Sequence, residues 1–83
     1  MLRFSDSEKR LLLKAKYVGH TIIKRLEDIG VSNLQDLSLA DATMLCHIIE
    51  ADSGIKGWGT HTLALQAISN AIDVAKEYCY DAN

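Results

Sequence analysis

Residues 14–30 read KAKYVGHTIIKRLEDIG, and how this stretch divides decides the fold. Ile22, Ile23, Leu26 and Ile29 recur at helical spacing, while Lys24, Arg25, Glu27 and Asp28 fall on the other side. That pattern predicts an amphipathic helix beginning just after Gly19. Gly30 is a strong stop, because glycine takes the left-handed conformation after a helix without strain, and Val31 is expected to fold back onto Leu26. Ahead of Gly19, Lys14 and Lys16 are expected near the end of a preceding helix, where positive charge suits the macrodipole.

Working outward, SDSE at Ser5–Glu8 fits a capping box: the Ser5 hydroxyl accepts a backbone N–H and Glu8 reaches back to the cap. Glu8, Leu11, Leu12 and Ala15 then share one face. Downstream, VSNLQDL at 31–37 reads as a short connection with room for one helical turn. Ser38 is the expected cap of the next helix, with Asp41 adding negative charge to its first turn. Leu39, Ala42, Leu45, Cys46, Ile48 and Ile49 form its apolar band, and Gly54 ends it. KGWG at 56–59 is the expected flexible spot. Thr60 is the expected cap of a long final helix, Thr60 to Tyr78. That helix is apolar over more than half its circumference, as in a helix central to a core or shared with a second subunit. No segment alternates in the manner of a strand. The prediction is one all-α domain, residues 1–83, compact and built from four main helices.

Composition agrees. Eighty-three residues make one domain with a modest core, and 48% hydrophobic and 24% charged residues without proline suit a globular chain. The longest apolar run, Leu11–Leu13, is far short of the roughly 20 residues of a membrane span, and MLRFSDSEKR holds no signal-peptide core. No membrane partner and a cytoplasmic location are expected. The two cysteines do not form a disulfide framework, and buried reduced thiols are expected. Cys46, His47, His61 and Cys79 match no paired zinc-ligand spacing, so no metal or cofactor is expected. The net charge of −2 is uneven. Residues 1–30 carry seven basic against four acidic side chains, whereas residues 31–83 carry two against seven. Such asymmetry suits either a polyanion-facing surface or complementary surfaces of a self-associating protein.

Over residues 10–31 the order helix, short turn, helix, glycine resembles the helix-hairpin-helix family. The matching positions run from Ala15 through Lys16, Tyr17, Val18, Gly19, His20, Thr21, Ile22, Ile23, Lys24, Arg25 and Leu26 to EDIGV. Including NLQDLSLADATML, the chain is similar to short bacterial pathogenicity-locus-type proteins and to C-terminal domains of competence regulators, built from one hairpin plus two helices. The resemblance implies a site in which N–H groups at the start of the second helix receive a nucleic-acid phosphate without reading sequence. Its members here are Lys16, Val18, Gly19, His20, Thr21, Lys24 and Arg25. Three positions depart from the family pattern. Tyr17 stands where the family has its first glycine, and a turn relaxed to a conformation tyrosine accepts is expected. Ile23 replaces a small residue, which would push the two helices apart. Thr21 stands where lysine is common. For Gly19 itself a tight inter-helix turn is the expected role, and for Tyr17 packing on its own domain rather than stacking on a base.

No nucleophile elbow, P-loop or shaped carboxylate pair appears, so the chain is expected to be non-catalytic. Two binding functions remain. One is weak, non-sequence-specific contact of the hairpin with a DNA or RNA backbone. The other is a protein-interaction or homodimerisation domain that keeps the fold without that ligand, with Trp58, Leu65, Ile68 and Ile72 as its interface.

Overall fold

The computed structural model describes residues 3–54, 57 and 62–81. Five helices follow one another: α1 (Asp6–Leu13), α2 (His20–Asp28), α3 (Leu34–Ser38), α4 (Ala42–Ser53) and α5 (Thr62–Asp81), with no strand among the described residues. The domain is all-α, and the expected four helices become five because the connection at 31–37 is not a passive link. Asn33 caps α3 by accepting the Asp36 N–H at 2.7 Å, and Leu34 and Leu37 drive the short helix into the core. Leu37 is fully buried, a contribution of about 2 kcal/mol from its apolar surface alone.

The long helix α5 is the spine, packing against α1, α3 and α4, while α2 packs on α1 and α4. Ala64, Ala67, Ile68, Ala71, Ile72 and Ala75 form its buried stripe. Four alanines in that stripe let neighbouring helices approach closely, and Ile68 and Ile72 fill the space between them. From the other elements Leu12, Ile23, Leu26, Leu45, Cys46 and Ile49 meet this stripe in one core. Ile23 is itself buried in this core. Phe4 joins the core from the extended segment before α1, and its N–H donates to Glu27 Oε2 at 2.9 Å.

The α1 capping box forms as the sequence implies: the Glu8 N–H donates to Ser5 Oγ at 3.2 Å and the Ser5 N–H to Glu8 Oε1 at 3.0 Å. Glu8 does more, since its Oε2 accepts the Leu34 N–H at 2.9 Å and so ties α1 to the start of α3. The end of α2 is equally legible. Gly30 has φ +92°, its N–H reaches the Glu27 carbonyl, and the Val31 N–H reaches the Leu26 carbonyl, both bonds of a Schellman ending.

Two expectations fail in the middle of the chain. Ser38 closes α3, its hydroxyl donating to the Gln35 carbonyl, and Asp41 caps α4 by accepting the Met44 N–H at 3.0 Å. The start of α4 lies beyond Leu39, so the apolar band breaks: Leu45, Cys46 and Ile49 face inward, while Leu39 and Ile48 stay on the surface. Lys14 caps α1 and Lys16 falls in the turn beyond it. Ile55, Trp58, Thr60 and His61 lie outside the described residues, as does the side chain of Cys79.

Candidate functional site

The turn between α1 and α2 is built from three short backbone bonds, Lys14 N–H to Leu11, Ala15 N–H to Leu12 and Val18 N–H to Ala15. It turns sharply because Tyr17 adopts φ +69°, the left-handed region. Tyr17 has therefore not relaxed: it holds a conformation that glycine takes freely and that disfavours an aromatic L-residue by about 1–2 kcal/mol. The constraint comes from α5. The Asn70 side-chain amide donates to the Lys16 carbonyl at 2.8 Å, and Gln66 in turn donates to Asn70 at 3.0 Å. Lys16 Nζ stands 5.1 Å from the centre of the Tyr17 ring, within cation–π range.

Gly19 is the N-cap of α2 and differs from expectation in a second way. Its φ of −125° and ψ of −174° are extended backbone open to any residue, and a Cβ added there would meet nothing within 4 Å. Neither conformation nor crowding requires glycine, so a tight inter-helix turn does not explain it. Its carbonyl accepts the Ile23 N–H at 3.2 Å, but no side chain caps the helix. By contrast α1, α3 and α4 are closed by Ser5, Asn33 and Asp41. The first turn of α2 is therefore left without a side-chain cap, carrying the positive end of the helix dipole.

The sequence-derived site residues do not all gather there. His20, Thr21 and Lys24 are exposed and Arg25 is half-buried. His20 and Lys24 line a concave surface of about 680 Å³ with Arg3 and Lys9, which the sequence did not single out, beside Glu27 and Asp28. Arg3 and Lys9 reach this surface through contacts that no local pattern reveals. The Phe4–Glu27 bond joins residues 23 apart and brings the N-terminal segment alongside α2. Lys16 instead lines a separate concavity of about 500 Å³, where Tyr17 faces Gln66 and Asn70 of α5. Val18 is buried in the core, so its part is to anchor the turn.

The expected interface residues are placed differently. Ile68 is 0% exposed and Ile72 5%, both inside the domain's own core, and Leu65 is half-buried against it. A dimer face cannot be made from Ile68 and Ile72 in this fold, because the same periodicity that marks an apolar face is satisfied within the monomer. The exposed apolar side chains of the middle of the chain lie instead at Leu39, Met44 and Ile48, with 82%, 63% and 43% of their surface accessible. Cys46 is a buried free thiol whose pKa burial pushes up. Among the described residues no group of histidine, cysteine and carboxylate side chains could hold a metal ion, and no helix is long and apolar enough to cross a membrane. Neither a family model, nor a curated protein, nor a solved structure matches the chain.

Proposed function

We propose that the α1–α2 unit is a helix-hairpin-helix module that binds a nucleic-acid backbone weakly and without sequence preference. The observation that carries this reading is the uncapped start of α2 at Gly19, with His20, Thr21 and Lys24 exposed around it. An unsealed helix start with bare backbone receives a phosphate through N–H groups and dipole, and nearby cations add to it. The left-handed residue at position 17 supports the resemblance in backbone terms, since the turn holds there a conformation that glycine takes freely. One hairpin engages few phosphates. Two contacts give a slope of about −2 in log affinity against log salt, shallow for a DNA binder. Titration of labelled single- and double-stranded DNA at low salt tests the reading, with the Lys24→Glu/Arg25→Glu double variant as control. Loss of most of the affinity in that variant is the expected result, and unchanged affinity removes the hairpin from the account.

A second reading has its own observation. Met44 and Ile48 leave apolar surface on α4 that lines a shallow concavity of about 470 Å³, and Leu39 is exposed ahead of the helix. This supports a protein-interaction domain whose contact surface is α4 rather than α5. If that surface docks a protein, Met44→Glu abolishes the association that light scattering or co-sedimentation detects and leaves thermal stability unchanged.

A further inference from the structure

We infer that the concave face between Tyr17 and α5 takes an unpaired base of a single-stranded nucleic acid, stacked on the Tyr17 ring. The inference rests on the nucleic-acid reading of the hairpin and adds to it a preference for single strands over duplex.

Three observations converge on Tyr17. Folding alone does not call for an aromatic residue here: the backbone sits at φ +69°, where glycine is relaxed, and 51% of the side chain's surface stays exposed with Lys16 over the ring. Residues held in sparsely populated backbone regions persist where the surroundings fix them, and they cluster at ligand-binding sites. The turn is fixed from behind by the Asn70–Lys16 bond and by Gln66, so the ring is presented on a held backbone. Finally, the concavity of about 500 Å³ beside it combines the ring and the exposed Leu63 with the polar groups of Gln66, Asn70 and Asp73. Apolar and aromatic walls take the face of a base, and the polar groups offer partners to its edge. Asp73 repels phosphate and accepts from base amino groups, which orients the base edge rather than the backbone toward α5.

The two contacts fit one strand. Tyr17 and His20 are three residues apart, at most about 11 Å along the chain. A phosphate at the start of α2 and a base on Tyr17 are therefore within the reach of one short strand. A duplex keeps its bases stacked inside and must unstack to offer one, which a single strand need not do.

The test is fluorescence anisotropy at low salt with a labelled mixed-sequence single strand, its duplex, and an abasic strand of equal length and charge. Stacking of one base corresponds to an affinity difference of about five-fold or more. The intact single strand is expected to bind at least that much more tightly than duplex or abasic strand. Tyr17→Phe should keep the preference, and Tyr17→Gly should reduce all three probes to one common affinity without lowering the melting temperature. A Tyr17→Gly protein that keeps its single-strand preference overturns the inference, as does wild-type binding that ignores the presence of bases. If duplex binding is lost in Lys24→Glu/Arg25→Glu while Tyr17→Gly changes nothing, this inference fails and the hairpin reading survives. If no probe binds the wild-type protein, both fail together.

Discussion

Helices α1 and α2 lie side by side and begin in opposite ways. At α1 the Ser5 hydroxyl and the Glu8 carboxylate close the first turn on itself, and Glu8 uses its second oxygen to hold the start of α3. At α2 the cap is a glycine with no side chain to offer and open space where one would go. A helix start that serves only the fold gains from being sealed, though by only roughly a few tenths of a kcal/mol for a side-chain cap over glycine. Leaving the α2 start bare, on the half of the chain with excess positive charge, keeps its N–H groups available to an outside anion. The contrast is between a terminus capped by side chains of the domain and one with no side-chain cap, the terminus at which a phosphate is proposed to bind.

The largest effect is expected at the sealed terminus. Glu8→Gln leaves one oxygen where two backbone N–H groups, Ser5 and Leu34, are accommodated now, and turns a donor toward one of them. Charge-assisted bonds of this kind put the loss at about 2 kcal/mol in chemical denaturation. Burial works to raise the Glu8 pKa, but the bonds from the Ser5 and Leu34 backbone and the Ser5 side chain outweigh it, and the net direction is downward from 4.5. A carboxylate with a lowered folded-state pKa contributes stability that is complete above 4.5 and disappears as pH falls through the folded value. Wild-type stability should therefore drop on the acid side of 4.5 more steeply than that of Glu8→Gln. Parallel acid limbs would mean that Glu8 is solvated and that α1 is no more sealed than α2.

What the sequence revealed follows the range of the interactions. The Ser5–Glu8 box and the Gly30 ending involve residues within five positions of one another, and they formed as read. The α3 helix was legible only as a turn, because five residues give too little periodicity to count; its place in the core depends on Leu34 and Leu37 meeting α5. Ser38 and Asp41 both have capping chemistry, and local sequence could not rank them. The concave surface beside α2 was half visible. His20 and Lys24 belong to the hairpin, but Arg3 and Lys9 join them only through tertiary contacts such as the bond between Phe4 and Glu27. The apolar face of α5 was legible as a face, to be covered by the core or by a second subunit, and Ile68 and Ile72 are covered within the same chain; periodicity does not say where the covering partner lies.

The two ends of α2 provide the next test. Both are preceded or followed by a left-handed residue, Tyr17 at the entrance and Gly30 at the exit. At Gly30 the residue type matches the backbone, and Gly30→Ala should destabilise by about 1 kcal/mol although its new methyl meets nothing. At Tyr17 the mismatch already exists. Tyr17→Gly relieves about 1–2 kcal/mol of strain, offset by about 0.4–1 kcal/mol from the freer unfolded chain, for a net stabilisation on the order of 0.5 kcal/mol. Opposite signs at the two ends, measured as denaturation midpoints, would confirm that only the exit is tuned for folding. A clear destabilisation by Tyr17→Gly would instead make the ring a packing element and bring the two ends into line.

The smallest stability effect is the most discriminating. Gly19→Asp places a carboxylate where its side chain can accept an N–H from the first turn of α2, in backbone that aspartate adopts without strain. A cap and a favourable dipole interaction together should stabilise the domain by about 0.5 kcal/mol. The same carboxylate then occupies the position argued for a phosphate and repels any that approaches. Stability and nucleic-acid affinity should therefore move in opposite directions from one substitution, with affinity reduced as far as in Lys24→Glu/Arg25→Glu. A stabilised Gly19→Asp protein that binds nucleic acid as well as the wild type would show that the open start of α2 is only an uncapped helix, and the distinction between the two helix starts would lose its functional meaning.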